Sequence, residues 1–136
     1  MSTAVGDDAV DRVLEELAFD DDGLVPAIAQ QHDSGEGLMM AWMNREAVKA
    51  TLSEGRAVYF SRSRGKLWRK GEESGQVQAL IELRWDCDSD CVLLQVDQTG
   101  VACHTGRRSC FFNAVRNGEV TTIAEVLVDP QTLYRR

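Results

Sequence analysis

Apolar positions change period several times along this chain, and the changes mark out its elements. Val10, Val13, Leu14 and Leu17 recur at three- and four-residue intervals, which predicts a helix over about 8–17, closed by the acidic run Asp20-Asp21-Asp22-Gly23. Two extended segments follow, 24–31 and 38–43, on either side of His32-Asp33-Ser34-Gly35-Glu36-Gly37, which has the composition of a hairpin turn. Helical spacing returns at Ala47, Val48 and Leu52; Asn44 is placed to cap this helix and Gly55 to stop it.

The second half is mostly extended. A strand over 57–60 leads into a basic loop that ends at Gly71-Glu72-Glu73-Ser74-Gly75. From 77 to 85, Val77, Ala79, Ile81, Leu83 and Trp85 alternate with Gln78, Glu82 and Arg84, the period of a half-buried strand with the apolar set facing inward. Segment 92–96 supplies its partner. Segments 111–115 and 120–123 bracket Arg116-Asn117-Gly118-Glu119, where Asn-Gly signals a tight hairpin. The expected fold is α+β with a mainly antiparallel sheet and a few helices, formed by residues 1–136 as a single domain. The first seven residues are expected to be disordered.

Charge narrows the function classes. A net charge of -7 and a pI near 4.8 disfavour nonspecific binding to nucleic acid or anionic membranes. No apolar stretch is long enough to span a bilayer, and the acidic N-terminus has no secretion-signal pattern, so a cytoplasmic location is expected. In that reducing setting the four cysteines read as metal ligands or buried thiols rather than as disulfides. Against the acidic background two basic groups stand out: Arg62, Arg64, Lys66, Arg69 and Lys70, and the pair Arg107-Arg108. Both are candidates for gripping phosphate.

The densest chemistry lies in Trp85-Asp86-Cys87-Asp88-Ser89-Asp90-Cys91 and in Cys103-His104-Thr105-Gly106-Arg107-Arg108-Ser109-Cys110. Thiolates and carboxylates crowded together oppose one another's ionisation, and a cation is the simplest relief. Sulfur suits zinc and carboxylate oxygen suits magnesium, so two distinct metal sites are offered. If 86–90 continues the preceding strand, Asp86, Asp88 and Asp90 share one face and Cys87 and Cys91 the other. The same run resembles the start of a helix-loop-helix calcium loop, but Cys91 stands where that loop requires glycine. Three cysteines on a metal leave a fourth position open to water, the catalytic arrangement; adding Cys91 closes the site into a four-thiolate structural clamp. His104, beside Cys103, is the candidate base. His32 reads as a turn residue. Other classes compatible with these residues are a zinc-stabilised binding module for nucleic acid, which the net acidity opposes, and a cysteine redox sensor.

These motifs, together with Met40-Ala41-Trp42-Met43-Asn44, Tyr59-Phe60-Ser61-Arg62-Ser63-Arg64 and Leu67-Trp68-x-Lys70-Gly71-Glu72-x-Ser74-Gly75, resemble the phosphoribosyl-AMP cyclohydrolases of histidine biosynthesis over about 24–112. The resemblance implies zinc at Cys87, Cys103 and Cys110, with Cys91 outside the site, and magnesium at Asp86, Asp88 and Asp90. It implies an intertwined homodimer whose zinc site draws on both subunits. The implied reaction is hydrolytic opening of the N1–C6 bond of the adenine ring of 1-(5-phosphoribosyl)-AMP, with His104 catalytic. Ser61, Arg62, Ser63, Arg64, Trp68, Lys70, Ser74, Thr105, Arg107 and Ser109 are then the expected substrate contacts, and Trp42 and Trp68 either stack on the purine or fill core. Some relatives carry a fused pyrophosphohydrolase; here that preceding step is expected to belong to another protein.

Overall fold

A computed structural model of the protein describes residues 6–133. Their order is α1 (Asp7–Glu16), β1 (Val25–Gln31), β2 (Gly37–Met43), α2 (Arg45–Glu54), β3 (Val58–Ser61), β4 (Lys66–Arg69), β5 (Gln78–Trp85), β6 (Val92–Gln98), β7 (Asn113–Arg116), β8 (Glu119–Thr122) and α3 (Pro130–Leu133). Of the N-terminal segment expected to be disordered, residues 1–5 lie outside the described residues; Gly6 and Asp7 are the N-cap and first residue of α1.

The fold is α+β. Its main sheet runs β2-β1-β6-β5, antiparallel except where β1 and β6 pair in parallel. One face carries the core: Val10 and Val13 of α1 and Ala47, Val48 and Leu52 of α2 pack with Ala27, Ala29, Met43, Leu94 and Val96. The local signals for α2 act as expected. Asn44 Oδ1 accepts from Ala47 N–H at 2.8 Å, and Gly55 ends the helix in the left-handed region at φ 72°, where a side chain would be strained.

Two bulges alter which residues face the core. In β2 the register slips at Leu38, so Leu38 and Met39 are both buried despite being adjacent. In β5 the extra residue is Ile81, between the pairs Leu80↔Val96 and Glu82↔Gln95. The alternation expected for this strand therefore returns only beyond the bulge and only at Leu83, since Trp85 at the strand's end is 38% exposed. Before it, Gln78 and Leu80 are buried while Ala79 and Ile81 face out; after it, Leu83 turns to the core. The sequence period cannot reveal such a slip, because a bulge exchanges the two faces without changing composition.

The basic segment is also more ordered than a loop. Lys66–Arg69 pairs with β3 in a hairpin, from Ser61↔Lys66 to Val58↔Arg69. With Lys66 and Arg69 charged and Leu67 and Trp68 only half-buried, this strand is hidden from a hydrophobicity pattern. Its base is tied down by Arg69, whose Nε and Nη2 donate to both carboxylate oxygens of Glu54 on α2 at 2.7 and 2.6 Å.

The β7–β8 hairpin forms as its Asn-Gly turn predicts, with positive φ at both Asn117 and Gly118. Val115 and Val120, paired across it, are 73% and 84% exposed.

Candidate functional site

The acidic triad converges, but not as a strand face. β5 ends at Trp85, and 86–91 is a turn closed by Asp86 N–H to Cys91 O at 3.0 Å, with Ser89 left-handed at φ 61°. Asp86 Oδ1 accepts from the backbone N–H groups of Asp90 and Cys91 at 3.0 and 3.2 Å. Chain reversal, rather than alternation, brings the three side chains together. Among the described residues, Asp86, Asp88 and Asp90 are the one group of three or more His, Cys, Asp or Glu side chains whose ligand atoms all lie within 4.8 Å of one another. The Asp86 charge, with that of Asp88 and slight desolvation, holds the Asp90 carboxyl above its ordinary value. This is a cluster of hard oxygen donors that a cation would relieve.

The second centre is the loop 102–110. Ala102 N–H bonds Arg108 O at 2.9 Å and Cys103 N–H bonds Arg107 O at 3.1 Å, making a tight hairpin. Cys110 N–H then donates to Leu38 O at 2.7 Å, and Ser109 Oγ to Gly37 O at 2.6 Å, which fixes the loop's far end to β2. Gly106 has φ +87°, and a Cβ there would lie 1.9 Å from Val128 O. The C-terminal segment therefore crosses directly over the loop, with Leu127 and Val128 N–H both donating to Gly106 O.

The Cys103 and Cys110 thiols are within hydrogen-bonding reach of each other. Burial opposes ionisation of Cys103, but the Thr105 hydroxyl donating to its sulfur at 3.1 Å, the Thr105 amide, Cys110 and the Lys70 charge together hold its pKa below the ordinary thiol value. Desolvation of the Cys110 sulfur and the neighbouring Cys103 push that thiol up to about 11, against the pull of Lys70. Cys87 is exposed on the acidic turn and does not join Cys103 and Cys110 in a three-ligand group within the chain. Cys91 is half-buried, its thiol raised by desolvation and by Asp86 and Asp90. His104 is exposed next to Cys103.

A cleft of about 380 Å³ opens within the basic β3–β4 hairpin and the loop that follows it. Ser61, Ser63, Arg64, Trp68, Lys70 and Ser74 all line it, with Lys66, Arg69 and Gly71 and the acidic Glu72 and Glu73. The other expected contacts are placed differently. Arg62 stacks its guanidinium on the Trp42 ring at 4.6 Å. Arg107 donates Nε to Ala124 O at 3.0 Å and lies over Phe112 at 4.1 Å. Thr105 and Ser109 hold the cysteine loop itself. Lys70 donates Nζ to Ala102 O at 2.5 Å, so it joins the cleft to the cysteine loop; desolvation lowers its pKa, while Cys110 and Cys103 oppose that shift. Trp68 packs on Tyr59 with ring centroids 5.1 Å apart.

Sequence reasoning named Lys66 and Arg69 only as members of a basic run. It gave no role to Tyr59 or Gln78, whose buried hydrogen bond supports the cleft from beneath, because a lone polar residue in an apolar strand has no distinguishing local signal.

Comparison with known proteins agrees with these motifs. The sequence model of a family described as phosphoribosyl-AMP cyclohydrolase matches residues 39–112. The phosphoribosyl-AMP cyclohydrolase of Granulibacter bethesdensis is 67% identical over 123 residues, covering 90% of this chain and 96% of the relative. That of Rhodospirillum centenum is 63% identical over 134 residues, 98% of both chains, and that of Rhodospirillum rubrum 68% identical over 119 residues, 87% of this chain and 83% of the relative.

Proposed function

This chain belongs to the phosphoribosyl-AMP cyclohydrolase family, and from that premise we propose that the cysteine loop, the acidic turn and the basic cleft form one zinc-dependent active site completed by a second copy of the chain. The family-level activity is that of a hydrolase of histidine biosynthesis acting on a cyclic amidine. The observation that carries the finer reading is the position of the cysteines: Cys103 and Cys110 face each other while Cys87 stands apart on the acidic turn.

The donor sets fit the metals. Paired soft thiols suit zinc, and three carboxylates gathered within 4.8 Å of one another suit magnesium. Zinc would be held by Cys103 and Cys110 with Cys87 of the partner subunit, and magnesium by Asp86, Asp88 and Asp90. When bound, zinc supplies the Lewis acidity that makes water a nucleophile at neutral pH.

The remaining work falls to the side chains. The N1-ribosylated adenine ring is a cationic amidine, so C6 is already electrophilic. His104 takes a proton from the water that attacks C6 and returns it to N1 as the N1–C6 bond breaks, leaving a carboxamide and an amidine. Arg64 and Lys66, exposed on the cleft wall with Ser61, Ser63 and Ser74, bind a phosphoribosyl end through charge-assisted hydrogen bonds. Lys70 and Arg69 shape the wall from behind.

A homodimer also accounts for the β7–β8 hairpin. An isolated two-stranded ribbon is marginal in water, and this one exposes Val115 and Val120. The outer face of the main sheet likewise exposes Ile28 and Met40. Among the described residues no helix is long and apolar enough to cross a membrane, and a cytoplasmic biosynthetic setting is part of the same reading.

The test is ring opening of 1-(5-phosphoribosyl)-AMP followed by ultraviolet absorbance, before chelation, after it, and with zinc restored. Chelator-sensitive turnover recovered by zinc supports the proposal. Undiminished turnover by metal-free protein refutes it. His104→Ala is expected to keep its zinc and lose roughly a hundredfold or more in rate.

A further inference from the structure

Arg107 and Arg108 are neighbours in sequence but leave the cysteine loop in different directions. Arg108 returns to the end of the main sheet. Its Nη1 donates to Gln98 O at 3.0 Å and to Gly100 O at 2.6 Å, its Nη2 to Gln31 Oε1 at 3.0 Å, and its Nε to Glu36 Oε1 at 3.4 Å. Four donor contacts of one guanidinium are thus made within the protein, which leaves little of it for a substrate phosphate.

The socket is itself rigid. Gln31 is 5% exposed; its Nε2 donates to Asp33 Oδ1 at 3.0 Å and Asp97 Oδ1 at 3.1 Å, while its Oε1 also accepts from Gln98 N–H at 2.9 Å. Gly100 is left-handed at φ +63°, a conformation that residues with side chains rarely adopt, so the turn beneath the guanidinium favours glycine.

The main chain of Arg108 is part of the same device. Its carbonyl accepts from Ala102 N–H, next to Cys103, and Cys110 is two residues on. One side chain therefore fixes the point from which both cysteines depart, and its planar fork fits three separate carbonyl acceptors that a lysine ammonium cannot all reach at once.

We propose that Arg108 is a positioning residue for the Cys103 and Cys110 thiols, pegging their loop to the ends of β1 and β6, and that it governs metal retention rather than phosphate binding. The inference rests on the reading of those cysteines as zinc ligands.

The experiment compares the full chain as purified with Arg108→Lys and Gln31→Met, the latter removing an acceptor while keeping the charge. Four quantities are read: zinc release to a chromophoric chelator, binding of phenylarsine oxide, which requires two adjacent thiols whether or not zinc is their natural ligand, KM, and stability to urea. Zinc retention is expected to fall roughly ten- to hundredfold in Arg108→Lys, and less in Gln31→Met, with arsenical binding weakened in parallel and KM little changed. Raised KM with unchanged zinc release and arsenical binding would make Arg108 a substrate ligand and overturn the proposal. Equal loss of urea stability with thiol pairing intact would overturn it in favour of a purely structural role. If the wild type retains no zinc, the zinc reading falls, while weaker arsenical binding by the variants would still uphold the positioning role.

Discussion

Tyr59 donates its hydroxyl to Gln78 Oε1 at 2.6 Å, with both residues at 0% exposure. Gln78 Nε2 then donates to Gln98 Oε1 at 2.8 Å, and Gln98 Nε2 donates to the carbonyls of Gln76 and Thr99. A buried polar chain thus runs from the basic hairpin through β5 to the strand end that receives Arg108. Burial, reinforced by the nearby Cys110 thiol, pushes the Tyr59 phenol far above its ordinary value, which keeps it a donor at all working pH.

Gln78 bonds both neighbours in this chain, so removing it orphans the Tyr59 hydroxyl and Gln98 Oε1. Gln78→Leu is expected to cost roughly 1–3 kcal/mol for each buried group it strands. Tyr59→Phe costs less, and the double variant falls well short of the sum. Urea unfolding of the four proteins checks this; additive losses would show that the residues are not coupled.

Gly106 meets two demands at once, a left-handed backbone and room for Val128 O. Gly106→Ala is expected to destabilise the chain by roughly 2 kcal/mol or more, since both the strain and the collision act on one residue. The C-terminal segment should detach first, seen as faster amide exchange at Leu127 and Val128, whose N–H groups bond Gly106 O.

The Arg69 guanidinium, mainly through its hydrogen bonds, lowers the Glu54 carboxyl below the ordinary value of 4.5. A depressed folded-state pKa gives stability that is present above the unfolded value and lost as pH falls through the folded one. Glu54→Gln should therefore flatten the fall in stability below about pH 4.5. The pair is partly open to solvent, which screens it, so its loss at pH 7 is expected to cost under about 1 kcal/mol. Thermal melts of both proteins between those pH values decide it.

Val115→Asp with Val120→Asp places charge where the β7–β8 ribbon is most exposed. If a second copy covers this face, sedimentation will show a shift from dimer to monomer, and zinc will be lost with it. An unchanged dimer would exclude the ribbon from the interface.

Local signals sufficed wherever an element is decided by its own neighbours. Asn44 and Gly55 bound α2, Asn117-Gly118 turns the last hairpin, and the closely spaced Asp86, Asp88 and Asp90 do come together as one acidic cluster. What the sequence could not settle depends on partners distant along the chain. The Ile81 bulge is defined by its register with β6, and so decides the inward face of β5 only once the two strands meet. β4 is a strand because β3 lies beside it, not because its charged residues favour one. Arg107 and Arg108 are identical in type and adjacent in sequence, yet one reaches Ala124 and the other the ends of β1 and β6. Composition and periodicity specify which groups are present and which local turns they prefer. Whether a charge is solvated, binds a ligand or pegs a loop is set by the acceptors the folded chain brings within 3 Å or so of it, and those come from tertiary structure.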